Sequence, residues 1–182
     1  MRCIYLFLLF LLLFTGSLNA NPGSPGREFL TDQEIDDVRD AQEIDKRIKV
    51  YMQAAAARLK TAEDRLNGIE STEEDPLEFF SPEDMLDGYY QILKSVMANL
   101  DAAYQNPDSD QNKIRKALTT LKKATEQAAK QLGILKKLAE EKNKEELWNL
   151  VNKSIKINEG AREGADYGLS ILSESSKKKD NR

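Results

Sequence analysis

The chain has 182 residues, 40% hydrophobic and 32% charged, with net charge −4, one cysteine and no histidine. That length suffices for a single domain with a substantial core. Without histidine the ordinary zinc, copper and haem ligand sets and the commonest general base are excluded, and Cys3 sits in a segment expected to be removed.

Residues 1–20 read as a secretory signal. Arg2 supplies the positive start, and Ile4 to Phe14 is an unbroken apolar run, too short for a comfortable membrane span. Cleavage after Ala20 is expected, with Ser17 as the alternative. The mature chain would be exported, to the periplasm or outside the cell, with neither a thiol nor a transmembrane segment. Residues 21–30 open as NPGSPGR, a flexible leader.

The helical domain is expected over 31–173, with a disordered polar tail at 174–182. Thr31 and Glu34 have capping-box spacing, and Leu30 with Ile35 that of a hydrophobic staple. The apolar stripe begun by Ile35 and Val38 weakens near Gln42–Asp45, so the first helix is expected to kink or break there, with Asp45 capping a restart. The stripe resumes at Ile48, Met52, Ala55, Leu59, Ala62, Leu66 and Ile69, and Gly68 marks the helix end. The run Ala54 to Ala57 is small on every face. It reads as close helix approach or, alternatively, a ligand groove.

Glu70 to Phe80 carries five carboxylates without the spacing of a calcium loop, and reads as a solvated acidic loop folded back onto the bundle by Phe79 and Phe80. Ser81-Pro82-Glu83-Asp84 starts the next helix, with Met85, Tyr89, Ile92, Leu93, Val96, Leu100 and Ala103 as its core stripe. Adjacent tyrosines point about 100° apart on a helix. One of Tyr89 and Tyr90 should therefore pack while the other reaches the rim, where an aromatic binding patch could form. Asn106-Pro107-Asp108 turns the chain, and Asp108 is expected to cap the third long helix.

In that helix Ile114, Leu118, Leu121, Thr125, Ala128, Leu132 and Leu135 recur at steps of four and three, the clearest helical stripe in the chain. Asn143 with Glu146 suggests a new cap and a last helix. That helix holds Gly160, Gly164 and Gly168, each four apart. One reading is close packing against a bulky ridge such as Tyr89 or Met97; the other is a groove for a partner's helix.

The fold class is therefore all-α, an antiparallel, coiled-coil-like bundle of four main helices. Residues 21–111 carry 9 basic and 21 acidic side chains and residues 112–182 carry 17 and 10, so the halves should attract each other. Leu30 to Tyr51 and Gly88 to Tyr104 resemble stretches of uncharacterised exported bacterial helical proteins, a resemblance that implies no activity. Without catalytic residue types, the chain reads as a non-enzymatic helical-bundle protein of the cell envelope that binds a protein partner or itself. Candidate interaction residues are Gly160, Gly164, Gly168, Tyr89 and Tyr90. No cofactor, metal or nucleic acid is expected. The alternatives are contact between the basic half and an anionic membrane surface or polymer, and a carboxylate-based hydrolase.

Overall fold

A computed structural model describes residues 29–180, with side chains through Glu174. The expected signal segment and nearly all of the leader lie outside the described residues. Among those residues the chain is all-helical: α1 (Asp32–Asp40), α2 (Ile44–Leu66), α3 (Pro82–Gln105), α4 (Gln111–Glu141) and α5 (Glu145–Asp180).

The helices begin and end for local reasons. Thr31 closes a capping box with Glu34 at the start of α1, and Ser81 closes one with Asp84 at the start of α3. The chain breaks between Asp40 and Ile44, where the apolar stripe lapses. The restart is not capped by Asp45: the cap position is Glu43, which makes no side-chain cap bond, and Asp45 Oδ1 is buried without a hydrogen-bond partner. The cap of α4 is Asp110, whose side chain accepts from Asn112 N, rather than Asp108. Two helices end in the same motif. Gly68 (φ 78°) and Asn143 (φ 51°) take the left-handed conformation, and the next amide reaches back to Asp64 O and Ala139 O respectively.

Hydrogen bonds between helices give their directions. Lys113 meets Glu43 and Gln131 meets Glu63, so α2 and α4 run the same way. Leu86 meets Ser154 and Tyr89 meets Asn158, so α3 and α5 do too. Arg47 with Asn99, and Arg58 against Gly88, set α2 antiparallel to α3. Arg115 with Leu172, and Lys122 with Asp166, set α4 antiparallel to α5. Around the bundle the order is α2, α3, α5, α4, and the consecutive helices α3 and α4 touch little.

All seven residues of the α4 stripe are buried. They face Ile48, Leu59, Ile92, Leu93, Leu147 and Val151 in one continuous core. Each fully buried Leu or Ile here contributes about 1.5–3 kcal/mol. α1 differs, since none of its residues is buried. It is held by Val38, by the preceding Phe29 and Leu30, and by one ion pair from below, Arg58 with Glu34.

Candidate functional site

The glycine row does not form one packed seam. A Cβ at Gly160 or Gly164 would meet nothing within 4 Å, whereas one at Gly168 would come within 2.9 Å of Leu118 Cδ1 on α4. The close contact therefore involves Leu118, not Tyr89 or Met97. Gly164→Ala and Gly160→Ala should each raise stability by about 0.5–1 kcal/mol, the ordinary gain from replacing a helix glycine. Gly168→Ala should gain less, because Leu118 must move. Thermal melts of the three variants check this order.

The two tyrosines divide as the 100° rotation requires. Tyr89 is fully buried and Tyr90 is half-buried at the rim. The Tyr89 hydroxyl donates to Asn158 Oδ1 (2.7 Å), and Asn158 Nδ2 donates to Thr125 O (3.0 Å), joining α3, α5 and α4 through the centre of the core. Burial pushes the Tyr89 pKa well above its usual value, so it stays neutral and is no base. At the rim, Lys153 Nζ lies 3.9 Å from the centre of the Tyr90 ring and Lys94 Nζ 5.8 Å.

Beside Tyr89 a cavity of about 480 Å³ opens between α2 and α4. Its walls are short: Ala55 and Ala56 from one helix, Ala124 and Ala128 from the other. The polar lining comes from Lys49 and Gln53 on α2 and from Thr120, Lys123, Gln127 and Gln131 on α4. On each helix these recur at helical spacing, so both rows face the same space. Two ammonium groups and three carboxamides supply hydrogen-bond donors, and no carboxylate lines the cavity. The nearest acid bonded to this set is Glu63, which accepts from Gln131 Nε2 at 3.4 Å. Small anions with several acceptor oxygens suit such a lining.

The sequence does not single out Lys49, Gln53, Lys123 or Gln127. The alanine run at 54–57 is their one signal, and it marks only half of the cavity.

A second pocket, about 460 Å³, lies under α1 beside Arg58 and Gly88. Arg58 is 3% exposed. Its guanidinium donates to both Glu34 carboxylate oxygens (3.0 and 2.5 Å) and to Phe29 O (3.0 Å). That fork is already filled by a carboxylate, so it is a structural clasp.

The charge asymmetry is partly met inside the fold. Lys113, Lys144 and Lys153 of the basic half pair with Glu43, Glu83 and Asp87 of the acidic half. Among the described residues no cluster of acidic side chains is placed to hold a metal ion, and no helix is long and apolar enough to cross a membrane.

A family model described as nitrate and nitrite sensing matches residues 25–159. The chain belongs to this nitrate and nitrite sensing family. No curated protein and no solved structure matches it. The family consists of periplasmic sensor domains, generally non-enzymatic. Every residue lining the α2–α4 cavity falls within the matched stretch, whereas the three glycines lie beyond its end.

Proposed function

We propose that this chain is a periplasmic sensor domain that takes a small oxyanion, nitrate or nitrite, into the cavity between α2 and α4. It passes the bound state on by contact with a protein partner. The observation that carries the reading is the lining: Lys49, Lys123, Gln53, Gln127 and Gln131 offer donors, no carboxylate lines the cavity, and of these groups only Gln131 is shared with an acid, through its 3.4 Å bond to Glu63. A planar oxyanion presents only acceptors, and each of these groups can supply at least two N–H bonds. The small walls leave space for the ion and a few waters. The lysines have apolar stems and lie at the mouth, so they can close over the ion without a backbone change.

The competing reading, contact between residues 112–182 and an anionic membrane surface, is weakened by the internal pairing of Lys113, Lys144 and Lys153.

The test is thermal melting of the chain purified after export, titrated with nitrate, nitrite and chloride at constant ionic strength. A hundredfold excess over Kd should raise Tm by about 5–10 °C for a domain of this size. Lys123→Glu, a change at an exposed position, should abolish the rise without lowering the starting Tm. No rise with either oxyanion, or an equal rise with chloride, would overturn the proposal.

A further inference from the structure

The loop between α2 and α3 displays two large apolar side chains, Ile69 next to the end of α2 and, more fully, Phe79 near the start of α3. Phe79 is 91% exposed. The loop around it is anchored. Leu77 is buried and Phe80 packs against the core. Leu77 N donates to Asp75 Oδ1 (2.9 Å), Phe80 N donates to Leu77 O (3.1 Å), and the Arg65 guanidinium donates to Leu77 O and Glu78 O. The backbone on both sides of Phe79 is thereby fixed with its ring in solvent. Burying a ring that is already held costs little conformational entropy and gains the full transfer free energy. Glu73, Glu74 and Glu78 belong to the same loop, and none is in an ion pair among the described residues.

The counterpart is on the same chain. A groove of about 960 Å³ runs between α3 and α5, with Tyr90, Met97 and Trp148 as its apolar surface and Lys94, Lys153 and Lys156 along its edge. Among the described residues neither Lys94 nor Lys156 has a carboxylate partner, and Lys153 reaches Asp87 at 3.4 Å. Glu159 is the one acid in the lining. The loop is thus an aromatic tip in an anionic collar, and the groove is an aromatic cleft in a cationic one. An anchor in a pocket surrounded by charges of complementary sign is the pattern of a specific contact. Leu77 and Phe80 hold the loop on the α1–α2 flank of α3, whereas the groove lies on the α5 flank. A chain does not fill its own groove.

We infer that the tip of this loop docks into the α3–α5 groove of a second copy of the chain, with Phe79 inserted between Tyr90 and Trp148 and Glu73, Glu74 and Glu78 facing Lys94, Lys153 and Lys156. The contact is separate from the anion cavity, which opens between α2 and α4. It makes the acidic loop a recognition element of the assembly.

Sedimentation velocity on the exported chain over a range of concentrations, at low and high salt, tests this. Association should rise with concentration and weaken with salt. Phe79→Ser should weaken it about thirtyfold with Tm unchanged, since the side chain is exposed in the single copy. Lys156→Glu should weaken it too, and adding Glu78→Lys should restore part of the loss. A chain that stays monomeric at every concentration and salt overturns the inference. So does an oligomer indifferent to both Phe79→Ser and Lys156→Glu, which would mean that a different surface is used.

Discussion

Glu34→Ala should lower the unfolding free energy by about 3–5 kcal/mol, the cost of leaving a buried charge without its partner. The side chains of Arg58 and Glu34 are 3% and 19% exposed, and without the carboxylate the guanidinium keeps Phe29 O as its one protein acceptor. Glu34 also accepts from Thr31 N (2.8 Å), so the same change opens the cap of α1. Arg58→Met should cost less. It removes the charge and keeps most of the apolar stem that packs over Gly88. Urea unfolding of both single variants and the double variant measures the coupling. The double variant should be more stable than Glu34→Ala alone, because it leaves no orphaned cation. If Glu34→Ala cost under about 1 kcal/mol, the typical value of an exposed pair, α1 would be fraying freely in solution.

Asn158→Leu should be the second large loss. The replacement keeps the branched shape, adds bulk at a buried position, and removes both ends of the chain of hydrogen bonds. The Tyr89 hydroxyl would be stranded in the core, at about 1–3 kcal/mol, whereas Thr125 O, in the middle of α4, would lose its second donor and keep its helical one. Tyr89→Phe strands Asn158 Oδ1 alone, adds no bulk, and should cost less. The two variants differ in their alkaline behaviour. The pKa of Tyr89 is raised in the fold, so its contribution is fully present below the unfolded value near 10 and is lost as pH rises above it. Wild type should therefore lose stability above about pH 10, and Tyr89→Phe should lose less there. Urea midpoints from neutral to strongly alkaline pH decide the point.

The stripe of α4 was legible because a periodic run of seven apolar or small residues leaves a helix one face to bury, and all seven are buried. Thr31, Ser81 and Gly68 were legible because caps depend on neighbours three or four positions away. The cap of α4 was two residues off. Asp108 and Asp110 offer the same chemistry, and only the turn geometry separates them.

Phe79 was expected inside by hydrophobicity alone. The loop has room to bury two of its apolar residues, and Leu77 and Phe80 take those positions. The glycine spacing was visible, yet which helix faces each glycine depends on how α5 crosses α4. Arg58 falls in register with the apolar stripe of α2, which hinted at burial, but its partner comes from a separate helix 24 positions earlier. The cavity was the hardest to see. It exists only where Ala55 and Ala56 lie beside Ala124 and Ala128, across a whole intervening helix.

The circular order α2, α3, α5, α4 has a kinetic consequence. The bonds joining α2 to α4 and α3 to α5 span 66 to 70 positions. Half of the lateral seams therefore cannot zip outward from a hairpin, and must wait until a full helix has been made between their two sides. Such remote pairing places this chain toward the slow end for helical proteins. While it waits, the leading hairpin carries most of the negative charge, and mutual repulsion keeps early chains apart until the lysine-rich half arrives.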